Sequence, residues 1–210
     1  GYLNDGEFAV VDTTNGRFQG TLNSDGELVV GTPYDWYACY PYSAELSSPK
    51  GAGGSFVIGS VANAHQTQNG NGNTDHIGEY DFMAAGVSTP ENGAVAFDMQ
   101  HLGALVQLSI TVPEPSTLNK VVLTSSTEFT ETGTIDLTAN TPTINADTQS
   151  NTFEIALNNV TTTETNENVV VYFMVAPIDL TNSELKATIH FADEEVASDY
   201  DEEEAPSEKE

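Results

Sequence analysis

The residues with the most chemical potential lie between Asn63 and Asp81. Asn69, Asn71, Asn73 and Asp75 place an oxygen-bearing side chain at every second position, the donor type that calcium takes. No glycine or bidentate glutamate stands where an EF-hand loop needs one, so a polar, flexible loop is the preferred reading and calcium the alternative. His65 and His76 share the segment with Asp75, Glu79 and Asp81, at a spacing that fits no standard zinc pattern. Cys39 is the single cysteine. It can form no intramolecular disulfide, and with no histidine near it in sequence it reads as a small buried residue rather than a nucleophile. His101 reads as a strand-end histidine whose ring bonds a neighbouring backbone group. With 32 Asp and Glu residues, carboxylate pairs arise in any fold, so their spacing selects no glycosidase pair. The chain has no nucleophile elbow, phosphate loop or H-E-x-x-H helix. The expectation is a protein that is not an enzyme, with no cofactor and no metal.

A second candidate is aromatic. Tyr34, Trp36 and Tyr40 fall on one face of a strand spanning Tyr34 to Ser43, with Tyr37 and Cys39 on the other. Such a row can stack on a sugar ring, although alternation of this kind more commonly packs a core. Core packing is therefore preferred and glycan stacking kept as the alternative.

Charge removes two partner classes. The net charge is −27, and the only cations, Arg17, Lys50, Lys120, Lys186 and Lys209, are scattered. Nucleic acid and anionic membrane surfaces both demand clustered Lys and Arg, so neither is an expected partner. No apolar run reaches the ~18 residues of a membrane span. No signal peptide or lipidation cysteine is visible near Gly1, as in a mature or trimmed chain.

The elements around these residues read as strands. Apolar residues repeat at period two, not at helical spacing, between Gly, Asn, Asp and Pro turns. Val10 and Phe18 flank Asn15-Gly16, a hairpin turn pair, and Ser24-Asp25-Gly26 makes a second turn before Leu28-Val29-Val30. Lys50 to Gly54 is a glycine-rich turn. Val95, Phe97 and Met99 alternate on odd positions, whereas Leu102, Ala104, Val106, Leu108, Ile110 and Val112 alternate on even ones. This phase flip at Gln100-His101 requires a bulge or a crossing between domains. Ile135 with Leu137, the series Phe153, Ile155 and Leu157, and the series Leu185, Ala187, Ile189 and Phe191 mark further half-buried strands. Val169 to Ala176 is a continuous apolar run, as in a central strand covered on both faces. The expected fold is all-β, with domains at residues 1–99 and 100–192. Residues 193–210, of which ten are acidic, form a tail of disordered composition.

Tyr37 to Ser43, Phe97 to Leu108, Gly133 to Leu137, Tyr172 to Pro177 and Leu185 to Phe191 resemble, in order, segments of the fimbrillin-like proteins of the Bacteroidales, the Mfa-like or type V pilus subunits. The resemblance implies two tandem transthyretin-like β-sandwich domains and a fimbrial structural or accessory subunit of the cell surface and outer membrane. It implies a lipoprotein precursor, with contact to the membrane only through that anchor. It also implies head-to-tail assembly with other pilin subunits, adhesion to host or bacterial surface ligands, and biofilm formation. A cell-surface glycan-binding lipoprotein is the alternative. Sheet physics supplies an assembly mechanism, because a sandwich lacking an edge strand accepts one from a neighbour. The acceptor groove is expected beside Leu102–Val112 or Val169–Ala176, with Leu102, Val106, Val171 and Phe173 as its candidate lining. Whether the subunit is stalk, tip or anchor is left open.

Overall fold

The structure is a computed structural model that describes residues 3–4, 9–12, 17–19, 23–24, 36–41, 57–61, 64–88, 97–137 and 139–192. The expected turns at Asn15-Gly16 and Lys50 to Gly54, the strand at Leu28-Val29-Val30, most of the turn at Ser24-Asp25-Gly26, Tyr34, Val95 and the acidic tail lie outside the described residues.

The chain is built almost wholly of strands, as the period-two pattern predicts. In order they are β1 (Leu3–Asn4), β2 (Ala9–Asp12), β3 (Arg17–Gln19), β4 (Asn23–Ser24), β5 (Trp36–Tyr40), β6 (Val57–Val61) and β7 (His65–Asn69). The short helix α1 (Ile77–Tyr80) precedes β8 (Met83–Ser88), β9 (Gln100–His101), β10 (Ala104–Val112), β11 (Thr117–Asp136), β12 (Ile144–Thr161), β13 (Glu167–Val175) and β14 (Leu185–Phe191). β2 and β3 pair antiparallel with Val10 opposite Phe18, on the two sides of the expected Asn15-Gly16 turn.

The largest sheet runs β14-β11-β12-β7, with β6 on the same edge of β11 as β14 but further along it. β7 joins this sheet from before residue 100, parallel to β12. Facing it is the two-stranded antiparallel sheet β10-β13. Between them lies a core of Leu118, Val121 and Leu123 from β11, Phe153, Ile155 and Leu157 from β12, and Val169, Val171 and Phe173 from β13. The Phe153 ring lies 5.6 Å from Phe129 and 5.3 Å from Phe173 between centroids, within the range of favourable aromatic pairs. Leu118 and Val121 are both buried although three positions apart. A register shift between Leu118 and Lys120 resets the alternation, which is what a bulge does.

β11 and β12 run on to a second cluster, Phe82, Ala84, Leu102, Ile135 and Leu137, against which Tyr37, Cys39 and Ile144 pack. The sheet β5-β8-β9 borders it. At Gly133 the two long strands come so close that an added Cβ would lie 2.7 Å from Asn145 O and 2.7 Å from Ile144 Cγ2. The phase flip at Gln100-His101 has its cause here. β9 pairs with β8, the chain breaks at Leu102-Gly103, and β10 then joins a different sheet.

Candidate functional site: a sheet closed on one side and open on the other

In an antiparallel pair, alternate residues point both their N–H and C=O away from the partner strand. On β13 these are Val170, Tyr172 and Met174, and none of these groups is left bare. The Gln66 side-chain amide accepts from Met174 N (3.0 Å) and donates to Met174 O (2.7 Å). The Gln68 amide accepts from Tyr172 N (2.8 Å) and donates to Val170 O (2.9 Å). Val170 N donates to Asn71 Oδ1 (2.8 Å), whose Nδ2 donates to Asn168 O (3.1 Å). Gly72 N adds a second bond to Val170 O (2.9 Å). Tyr172 O receives Nε2 of the buried His76 at 3.0 Å; facing a carbonyl, that nitrogen must be the donor.

The local sequence explains how the amides arrive. Gln66 and Gln68 follow the fully buried Ala64 at period two, so all three face the core from the edge strand β7. Their exposures are 3% and 0%, and burial at that level demands partners for every polar atom. Gly70 and Gly72 have φ of +87° and +67°, a conformation that glycine adopts without steric cost. They turn the chain after β7 so that Asn71 and the Gly72 N–H reach β13.

The other edge of this sheet is different. Val106, Leu108 and Ile110 of β10 face the core and are only partly buried. Opposite Met174, Tyr172 and Val170 stand Leu105, Gln107 and Ser109, whose N–H and C=O groups, with those of Thr111, therefore point outward. Among the described residues no strand pairs with that edge. Two strands face four, and at ~4.8 Å per strand the small sheet cannot cover the width of the large one. On β14 the core-facing series Leu185, Ala187, Ile189 and Phe191 is likewise incompletely covered, Leu185 being 52% exposed. Leu105 is 56% exposed.

The residues expected to line an acceptor groove thus occupy three environments. Val106 lies on the open edge. Val171 and Phe173 are buried in the main core, on the strand whose outer edge the amides cover. Leu102 belongs to the second cluster. β13 differs from the expected central strand because side chains, rather than a further strand, complete it. Of the aromatic row, Tyr40 is 44% exposed and Trp36 half-buried, on the face of β5 opposite Tyr37 and Cys39, which pack inward. Burial pushes the Cys39 thiol pKa up, which leaves little thiolate for nucleophilic chemistry.

The Asn69–Asp81 segment is largely occupied with itself and with β13. Asn73 Nδ2 donates to Asp75 Oδ2 (3.1 Å), and Asp75 N donates to Asn73 Oδ1 (2.8 Å). Asn69 Oδ1 accepts from Asn158 Nδ2 (3.1 Å). Among the described residues no group of three or more His, Cys, Asp or Glu side chains is placed to hold a metal. His101 bonds a carboxylate rather than backbone, with Nδ1 2.7 Å from Asp81 Oδ1. Gln66, Gln68 and the capping role of Asn71 and His76 were not found by sequence reasoning. The available signal was Gln-x-Gln at strand spacing directly after a small apolar residue.

The model of the fimbrillin-like family matches residues 7–207. The chain belongs to the fimbrillin-like family. No protein of curated function matches it. Its structure resembles the crystal structure of a Bacteroides ovatus protein proposed to act in cell adhesion, at 18% identity and a TM-score of 0.45. The similarity covers 84% of this chain and 64% of that longer one. Among the described residues no helix is long and apolar enough to cross a membrane.

Proposed function

We propose that this chain is a fimbrial subunit that receives an extended strand from a neighbouring subunit along the outer edge of β10, and so contributes to adhesion and biofilm formation. One observation carries the reading. The outward N–H and C=O groups of Leu105, Gln107, Ser109 and Thr111 have no paired strand among the described residues, beside the half-covered Val106, Leu108 and Ile110. An incoming strand gains backbone bonds from the first set and apolar contact from the second. The occupant in this reading is a second pilin, which membership of the fimbrillin-like family supports. A head-to-tail contact repeated from subunit to subunit, its rotation not closing on itself, makes an open filament.

The test is assembly of the full chain, followed by negative-stain microscopy and SDS-resistant ladders, against Ser109→Pro. The Ser109 N–H points away from β13, so proline removes no backbone bond of the subunit itself, only the exposed bond from Ser109 Oγ to Asn168 Oδ1 (2.8 Å), and blocks the outer edge. Filaments or ladders lost in the folded variant support the reading. Assembly that proceeds unchanged in Ser109→Pro refutes it.

A further inference from the structure

We propose that Gln66 and Gln68 close the β13 edge to strand addition, so that an incoming strand can pair with the β10-β13 sheet only along β10. The purpose of this closure rests on the strand-addition reading above, but its geometry does not. A primary amide carries the same donor and acceptor pair as a peptide unit. Two of them, set two residues apart on β7, step along the strand at the same interval as the outward groups of β13. Gln66 takes both groups of Met174, Gln68 takes Tyr172 N–H and Val170 C=O, and Asn71 takes Val170 N–H. The remaining carbonyl, that of Tyr172, receives His76. The edge is thus satisfied as completely as by a strand, yet its cover consists mostly of side chains held by β7, which is itself paired to β12. An intruding strand would have to expel two amides that are almost completely buried and then repeat the same bonds, with no net gain in hydrogen bonding. Of the two edges of the β10-β13 sheet, only that of β10 then remains for pairing among the described residues, which disfavours strand addition along β13.

Two measurements on the full chain test this. In the wild-type protein, the amides of Val170, Tyr172 and Met174 should exchange hydrogen at least about tenfold more slowly than those of Leu105, Gln107, Ser109 and Thr111. Comparable rates overturn the proposal, and this arm needs no variant to fold. The second compares Ser109→Pro alone with Ser109→Pro combined with Gln66→Met and Gln68→Met, by light scattering at rising protein concentration. The folded triple variant should associate where the single variant stays monomeric, and association should slow exchange at Val170, Tyr172 and Met174. A folded triple variant that remains monomeric overturns the closure. The two readings separate cleanly. If Ser109→Pro leaves wild-type assembly unchanged while the glutamine substitutions add association, the closure stands and the β10 reading falls. The converse pattern keeps β10 as acceptor and removes the closure.

Discussion

Replacing Gln66 by methionine should cost this protein more stability than the same replacement at Gln68, although Gln68 is the more deeply buried of the two. Methionine nearly matches glutamine in volume, so the cavity contribution is small and the loss reports the hydrogen bonds. Without the Gln66 amide, both Met174 N–H and Met174 C=O lose the partner they have. A buried backbone group left unpaired costs about 1–3 kcal/mol, so the two together cost about 2–6 kcal/mol. Without the Gln68 amide, Tyr172 N–H is stranded, but Val170 C=O keeps its bond from Gly72 N–H, and Gly70 C=O, which loses its 2.8 Å bond, is only partly buried, where water can take the amide's place. That loss is about 1–3 kcal/mol, roughly half. Urea unfolding of the two variants beside wild type measures both. At a slope of about 2 kcal/mol per molar, a loss of about 3 kcal/mol moves the midpoint down by about 1.5 M. Equal losses at the two positions, or a larger one at Gln68, would refute the reasoning, as would losses below about 1 kcal/mol at both.

Gly133→Ala should destabilise the protein by about 1–3 kcal/mol, because the new methyl group would meet Asn145 O and Ile144 Cγ2 at 2.7 Å; thermal unfolding unchanged from wild type would contradict that packing. Phe153→Ala, at the centre of the Phe129, Phe153 and Phe173 stack, should cost about 3–5 kcal/mol in the same urea titration. Cys39 should react slowly with iodoacetamide at neutral pH, its burial holding the thiol protonated. The rate should climb with pH to a midpoint above that of a free cysteine peptide run in parallel, and a midpoint at or below the peptide's would place the thiol in a polar setting instead.

The parts of this fold that could be read in the sequence are those where one face of a strand is apolar. Phe153, Ile155 and Leu157 alternate into the core as their pattern requires, and the flip at Gln100-His101 marks a real transfer between sheets. β7 was hidden because its inward positions are Gln66 and Gln68, and a strand with amides facing the core carries no hydrophobic period. The same residues form the closed half of the candidate site, so the site's logic was invisible for the same reason. His101 was placed correctly near a strand end but bonds Asp81, a partner twenty positions away that local spacing does not indicate. The open edge of β10 was legible as a strand and not as an edge, since alternation reports which face is buried and says nothing about which neighbour is missing.

β11 and β12, with 20 and 18 residues, reach from one buried cluster to the other, their pairing shifted in register at several points, most widely between Thr124 and Phe129. A fibre under tension concentrates failure at its weakest joint, and in many chains of beads that joint is the flexible tether between one bead and the next. Within this chain, two long strands paired along most of their length link the two clusters instead. A pull along their length loads the bonds between them together, in shear, instead of peeling them apart one at a time.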